Sequence, residues 1–208
     1  MRSLLTLIWA ALRANGFWMA WNLTLALVPL LLAAVLFRGR RRPSAGWWVG
    51  LAAFVVLLPN APYVLTDVVH FVPDVRGADR LSVAIAFIAQ YGVFFLVGVE
   101  SYVVSVMLLT RWLQARGRSW ATVPAEVGIH AVCAAGVYLG RVGRLNSWDI
   151  VVRPDRFIHS LAGLGSPRAI ALTALTFVVV STVYWAGKHV TLALASYHHL
   201  RPFADSSR

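Results

Sequence analysis

The chain has 208 residues, of which 59% are hydrophobic and 13% charged, and it carries a net charge of +11. A soluble domain of this size has too little interior to hide that much apolar surface, so the composition excludes a water-soluble globule and points to an all-α polytopic membrane protein. The charge comes from 18 arginines and one lysine scattered between apolar runs. Such a distribution suits loop anchoring and anionic lipid headgroups, and it leaves no basic domain for nucleic acid.

The first 16 residues, MRSLLTLIWAALRANG, have a basic start and a short apolar core interrupted by Arg13. Because the run FWMAWNLTLALVPLLLAAVLF follows at once, they read as an interfacial helix leading into a span and not as a cleaved signal. Five spans are expected in a single transmembrane domain, at about 17–37, 47–71, 81–109, 120–145 and 169–187. The longest connection, residues 146–168, reads as an interfacial segment. Cys133, the single cysteine, lies in an apolar run and reads as a small packing residue.

Arginine placement favours an external amino terminus and a cytoplasmic carboxyl terminus. Arg38, Arg40, Arg41 and Arg42 follow span one, and Arg111, Arg116 and Arg118 follow span three. Arg141, Arg144, Arg153, Arg156 and Arg168 after span four pull the other way. In either orientation spans two and four run in the same direction, so their carboxyl ends emerge on one membrane face.

Those two ends are the most polar helix ends in the chain. Span two runs through LPNAPYVLTDVVH, where Pro59 and Pro62 lack N–H groups and free the carbonyls of Val55 and Leu58. Leu58 and Ala61, each preceding a proline, are biased away from helical dihedrals. In hydrocarbon the freed groups need internal partners or a wet cavity, and Asn60 is placed to supply one. Beyond the break, Thr66 and Asp67 lie four and three residues before His70 and share a face with it. Span four ends in GRVGRLNSWDI, with Arg141 and Arg144 expected on one helix side and Asn146, Ser147, Trp148 and Asp149 following. Taken singly, each motif also fits a proline kink or an interfacial anchor. Together they favour a polar site, with Asp67 paired to Arg141 or Arg144 because an unpaired charge near lipid is costly.

LPNAPYVLTDVVH followed by GRLNSWDI resembles the bacterial membrane proteins grouped as domain of unknown function 1361, over about Trp47–Thr182. The resemblance implies a multi-pass protein of the bacterial inner membrane and supplies no activity or substrate. The motif positions it carries over are Asn60, Pro62, Tyr63, Thr66, Asp67 and His70, then Arg144, Asn146, Ser147, Trp148 and Asp149.

A deeper pair is expected between Glu100 and His130. Each lies about ten residues from the loop joining antiparallel spans three and four, so they share a depth and could share a proton. Three classes of function fit these residues. Recognition of an anionic, lipid-like or phosphate-bearing ligand would use Arg141 and Arg144, with Asn60, Tyr63, Thr66, Asn146, Ser147 and Trp148 shaping the pocket. Hydrolysis would place a divalent metal on Asp67, His70 and Asp149, though the spacing matches no multi-histidine motif. Proton-coupled transport, for which five spans are few but a homodimer could suffice, or docking as an accessory subunit completes the set.

Overall fold

The structure is a computed structural model and describes residues 4–39 and 43–204. Arg40, Arg41 and Arg42 lie outside the described residues, as do the side chains of His198 and His199. Among the described residues every regular element is helical: α1 (Leu4–Phe37), α2 (Ala45–Leu57), α3 (Asn60–Tyr63), α4 (Val68–Arg76), α5 (Leu81–Gln114), α6 (Thr122–Arg141), α7 (Asp149–Val152), α8 (Pro154–Ala162) and α9 (Pro167–Ala204). Short 3-10 turns lie at Val64–Asp67, Ser119–Ala121 and Gly163–Gly165. Among the described residues five helical segments are long and apolar enough to cross a membrane: Ile8–Phe37, Ala45–Arg76, Leu81–Gln114, Ser119–Arg141 and Pro167–Ser196.

The bilayer explains a surface that would be untenable in water. Phe17 is 87% exposed, Val35 81% and Leu81 78%, because lipid solvates them as well as a protein core would. The buried positions instead define one hub. Helix α5 packs against α1, α3, α4, α6 and α9, and α6 packs along α9. Close approach relies on small residues. Ala26 and Ala33 of α1 are fully buried, and Ser101 and Ser105 of α5 turn their hydroxyls back onto the carbonyls of Val97 and Ser101.

The helix expected over the first 16 residues runs into span one without a break from Leu4. Neither proline nor cap interrupts it there, since the Asn15 amide donates to Asp74 at 2.6 Å instead of capping a helix. Tyr91 donates to the same carboxylate at 2.7 Å, so Asp74 ties α1, α4 and α5 together at one end. At the other end Ser44 caps α2 by accepting from the Trp47 N–H at 3.3 Å. There Trp47 stacks on Trp112, with Arg116 over the Trp112 ring at 3.9 Å, an aromatic belt of the kind found at membrane interfaces.

Span two is tightened, not unwound. Leu58 and Pro59 keep right-handed helical dihedrals (φ −57°, ψ −35° and φ −56°, ψ −22°), contrary to the bias that proline places on a preceding residue. The Ala61 N–H reaches back only three residues, to Leu58 O at 3.1 Å, and the chain continues as 3-10 helix over Val64–Asp67. The carbonyl left over by this change of register is therefore that of Leu57, with that of Leu58 already satisfied. Span four also ends early. Helix α6 stops at Arg141, and Arg144 adopts a positive φ of 52° beyond it.

Span two rests on glycines. A Cβ at Gly98 would overlap the Val64 side chain, one at Gly136 would lie 2.6 Å from Pro59, and one at Gly140 3.1 Å from the Tyr63 ring. Gly136 and Gly140 thus form a four-residue repeat that lets α6 touch the break. Gly136→Ala should cost about 1–3 kcal/mol, because the proline ring cannot swing aside. The expected readout is a lower unfolding midpoint in detergent, against no loss for Gly92→Ala, whose Cβ meets nothing within 4 Å.

Candidate functional site

The contact between span two and α6 leaves a cleft of about 260 Å³ beside the proline break and the carboxyl end of α6. Its polar walls are Asn22 of α1, Asn60 and Tyr63 of α3, and Asn146 and Ser147 beyond α6. Asn60 organises it. Its amide donates to Leu57 O at 2.7 Å, satisfying the carbonyl freed at the break, and to Ser147 Oγ at 2.9 Å. One side chain therefore repairs the backbone and ties the break to the loop after span four.

That loop is shaped by its own bonds. The Leu145 N–H returns to Leu139 O at 3.3 Å, and Gly143 is required because a Cβ there would lie 2.6 Å from the same oxygen. Asp149, only 6% exposed, accepts the Asn146 N–H at 2.7 Å and closes the turn that presents Asn146 and Ser147. Phe157 of α8 completes the wall. The exposed Ile158 and Leu161 suit α8 to the headgroup layer.

Beside the cleft sits the ion pair. Arg141 Nη1 lies 3.4 Å from Asp67 Oδ1, and the Asn22 amide lies 3.4 Å from Asp67 Oδ2. Asp67 is almost fully buried (side chain 4% exposed), whereas Arg141 is one-third exposed. Both contacts are long for hydrogen bonds, so Arg141 retains donors for a further partner. Of the two arginines weighed for Asp67, Arg141 makes the contact. Arg144, off the helix and exposed, does not share its face.

Other expected positions fall outside the cleft. Thr66 donates to Tyr63 O at 2.7 Å within its own segment. His70 is exposed with its ring 5.5 Å from that of Trp18, and Trp148 is 43% exposed. Among the described residues no three of His, Cys, Asp and Glu group as metal ligands, so Asp67, His70 and Asp149 do not form the expected set; Asp149 is committed to its turn. Asn22 and Trp21 of span one line the cleft and went unrecognised in the sequence, although a lone asparagine inside FWMAWNLTLALV was a signal of the same kind as Asn60.

The Glu100–His130 pair does not form. Glu100 accepts from Thr191 of α9 at 3.1 Å, while His130 Nδ1 meets the Tyr102 hydroxyl. Matched depth was not enough, because residues 100 and 102 point about 200° apart around α5. The acid near His130 is Glu126, which accepts from Tyr184 at 2.6 Å and pairs with Lys188 at 2.7 Å, joining α6 to α9.

The family model for the protein of unknown function DUF1361 matches residues 21–183. The chain belongs to this family. No curated protein and no solved structure matches it. The matched segment of this DUF1361 protein begins at Trp21, on the cleft wall, and takes in every residue that lines the cleft.

Breaking a buried ion pair from one side costs about 3–5 kcal/mol, and the exposure of Arg141 lowers the expectation here to about 1–3 kcal/mol. Arg141→Ala should therefore lower the unfolding midpoint more than the double change Asp67→Asn with Arg141→Gln, which leaves no buried charge. Glu126→Ala should cost about 1–2 kcal/mol by stranding Lys188 and Tyr184 between helices, measured against Glu126→Gln in the same detergent.

Proposed function

We propose that the cleft binds the anionic headgroup of a lipid or another phosphate-bearing ligand. The observation that carries this reading is a set of neutral polar groups converging on one cleft beside an incompletely engaged arginine. Asn22, Asn60, Tyr63, Asn146 and Ser147 line the cavity, and Arg141 makes only a 3.4 Å contact with Asp67. Between residues 141 and 168 the chain has five arginines against two aspartates, and Arg144, Arg153, Arg156 and Arg168 are exposed. A phosphate fits this chemistry, since arginine donates to two of its oxygens while amides and hydroxyls complete the shell. Asn22, Asn60, Tyr63 and Ser147 are half-buried and Asn146 is exposed, so a ligand or water can reach the polar groups of the cleft. With the amino terminus outside, the cleft opens on the outer face of a bacterial inner membrane.

Purified protein titrated with phosphatidylglycerol and with phosphatidylcholine of the same chains, followed by native mass spectrometry, tests the reading. Wild type should bind the anionic lipid at least about tenfold more tightly, a difference of about 1.4 kcal/mol, and Arg141→Gln and Ser147→Ala should reduce that preference. Equal affinity for both lipids in the wild type would remove the reading.

A further inference from the structure

A second concavity, about 410 Å³, lies between α6 and α9. Ala131, Ala134 and Ala135 wall it on one side and Ala174 and Phe177 on the other, with Leu164 ahead of α9. It exists because alanines stand where two packed helices would otherwise fill the space with larger side chains. Lipid chains are the surrounding medium at this depth, so an apolar depression on the helices meets hydrocarbon first.

We propose that this groove holds an acyl chain of the same lipid whose headgroup occupies the cleft, so that the two form one glycerophospholipid site; this rests on the anion-binding reading above. The order of the two pockets along α6 supports it. On α6 the cleft is lined by Gly136, Leu139 and Gly140, with the loop beyond, whereas the groove's Ala131, Ala134 and Ala135 lie 6–10 positions before Arg141. At 1.5 Å per residue the groove sits about 9–15 Å deeper than the end of the helix. A phospholipid has this polarity, with its headgroup at the interface and its tail towards the midplane.

The two pockets share no lining residue, and they approach each other at one edge of α6. Ala135 of the groove and Leu139 of the cleft are four residues apart and therefore neighbours on one side of α6. A single stretch of chain borders both, since Phe157 lines the cleft and Leu164, just past the end of α8, lines the groove. Thr173 adds a polar mark inside the groove. Its hydroxyl is buried and, among the described residues, has no hydrogen-bond partner. It lies six residues into α9, at about 9 Å from the helix start, where it can donate to an ester oxygen of the glycerol linkage.

The test uses the full chain in nonionic detergent, with dioleoyl phosphatidylglycerol as the lipid probe and glycerol phosphate as the same headgroup without chains. Ala174→Phe fills the groove, and Ala135→Leu fills it more gently should the first variant fail to fold. Filling the groove removes the packing contacts that an acyl chain makes with Ala131, Ala134 and Phe177, and the lipid should then bind about tenfold more weakly. The expected result is that loss of lipid affinity in both variants, with glycerol phosphate binding unchanged. Wild-type lipid affinity in folded groove variants would overturn the inference and leave the cleft reading standing. Failure of wild type to bind either probe would overturn the cleft reading as well.

Discussion

A backbone group inside hydrocarbon has no water to fall back on, and span two brings two prolines into that setting. The chain meets the constraint by tightening to three-residue hydrogen bonds and by turning the Asn60 amide onto Leu57 O. The rest of the face follows from this repair. Having satisfied the backbone, the same amide reaches Ser147 and draws the loop after span four against the break. Gly98, Gly136 and Gly140 are the packing counterpart, since each gives way to a residue of the tightened segment.

Charges obey the same rule at greater cost. Asp67 has Arg141 and Asn22, Glu126 has Lys188 and Tyr184, and Glu100 has Thr191. These partnerships cross between helices, so polar groups act as fasteners in a bundle whose apolar surface gains nothing from leaving lipid. The Asp67 cluster differs from the Glu126 cluster in one physical respect. Glu126 is engaged at 2.6–2.7 Å by two donors, whereas Asp67 is held by two contacts of 3.4 Å beside an open cavity. That looseness beside a cavity is what the proposed anion site draws on.

Much of this was legible because membrane physics writes directly into composition. The five spans followed from apolar run length, and the missing proline N–H groups pointed to Asn60, although the carbonyl it takes is that of Leu57 and not of Val55 or Leu58. What escaped was set by rotation and by local bonds. Depth placed Glu100 beside His130, but the helical angle gave His130 to Tyr102 and Glu100 to Thr191. Arg144 was expected on a helix that ends at Arg141, where Gly143 permits the turn. Leu58 held helical dihedrals despite the following proline because the tightened turn satisfied its carbonyl. Asn22 was passed over because a single amide in an otherwise apolar span carries no spacing pattern.

On the proposed function, the tightened break borders a polar cleft that favours anions, and not a dry helix contact. Cys133 is buried and is the single cysteine, so a Cys133→Ser background is silent to thiol reagents. Val56, on the cleft wall, and Leu96, 62% exposed on the apolar surface, then receive cysteines one at a time. The decisive measurement is the labelling rate in intact membranes with small anionic and cationic methanethiosulfonates. Val56→Cys should react, faster with the anionic reagent, while Leu96→Cys stays inert in lipid. Equal inertness at both positions, or a faster cationic reaction at Val56→Cys, would contradict it.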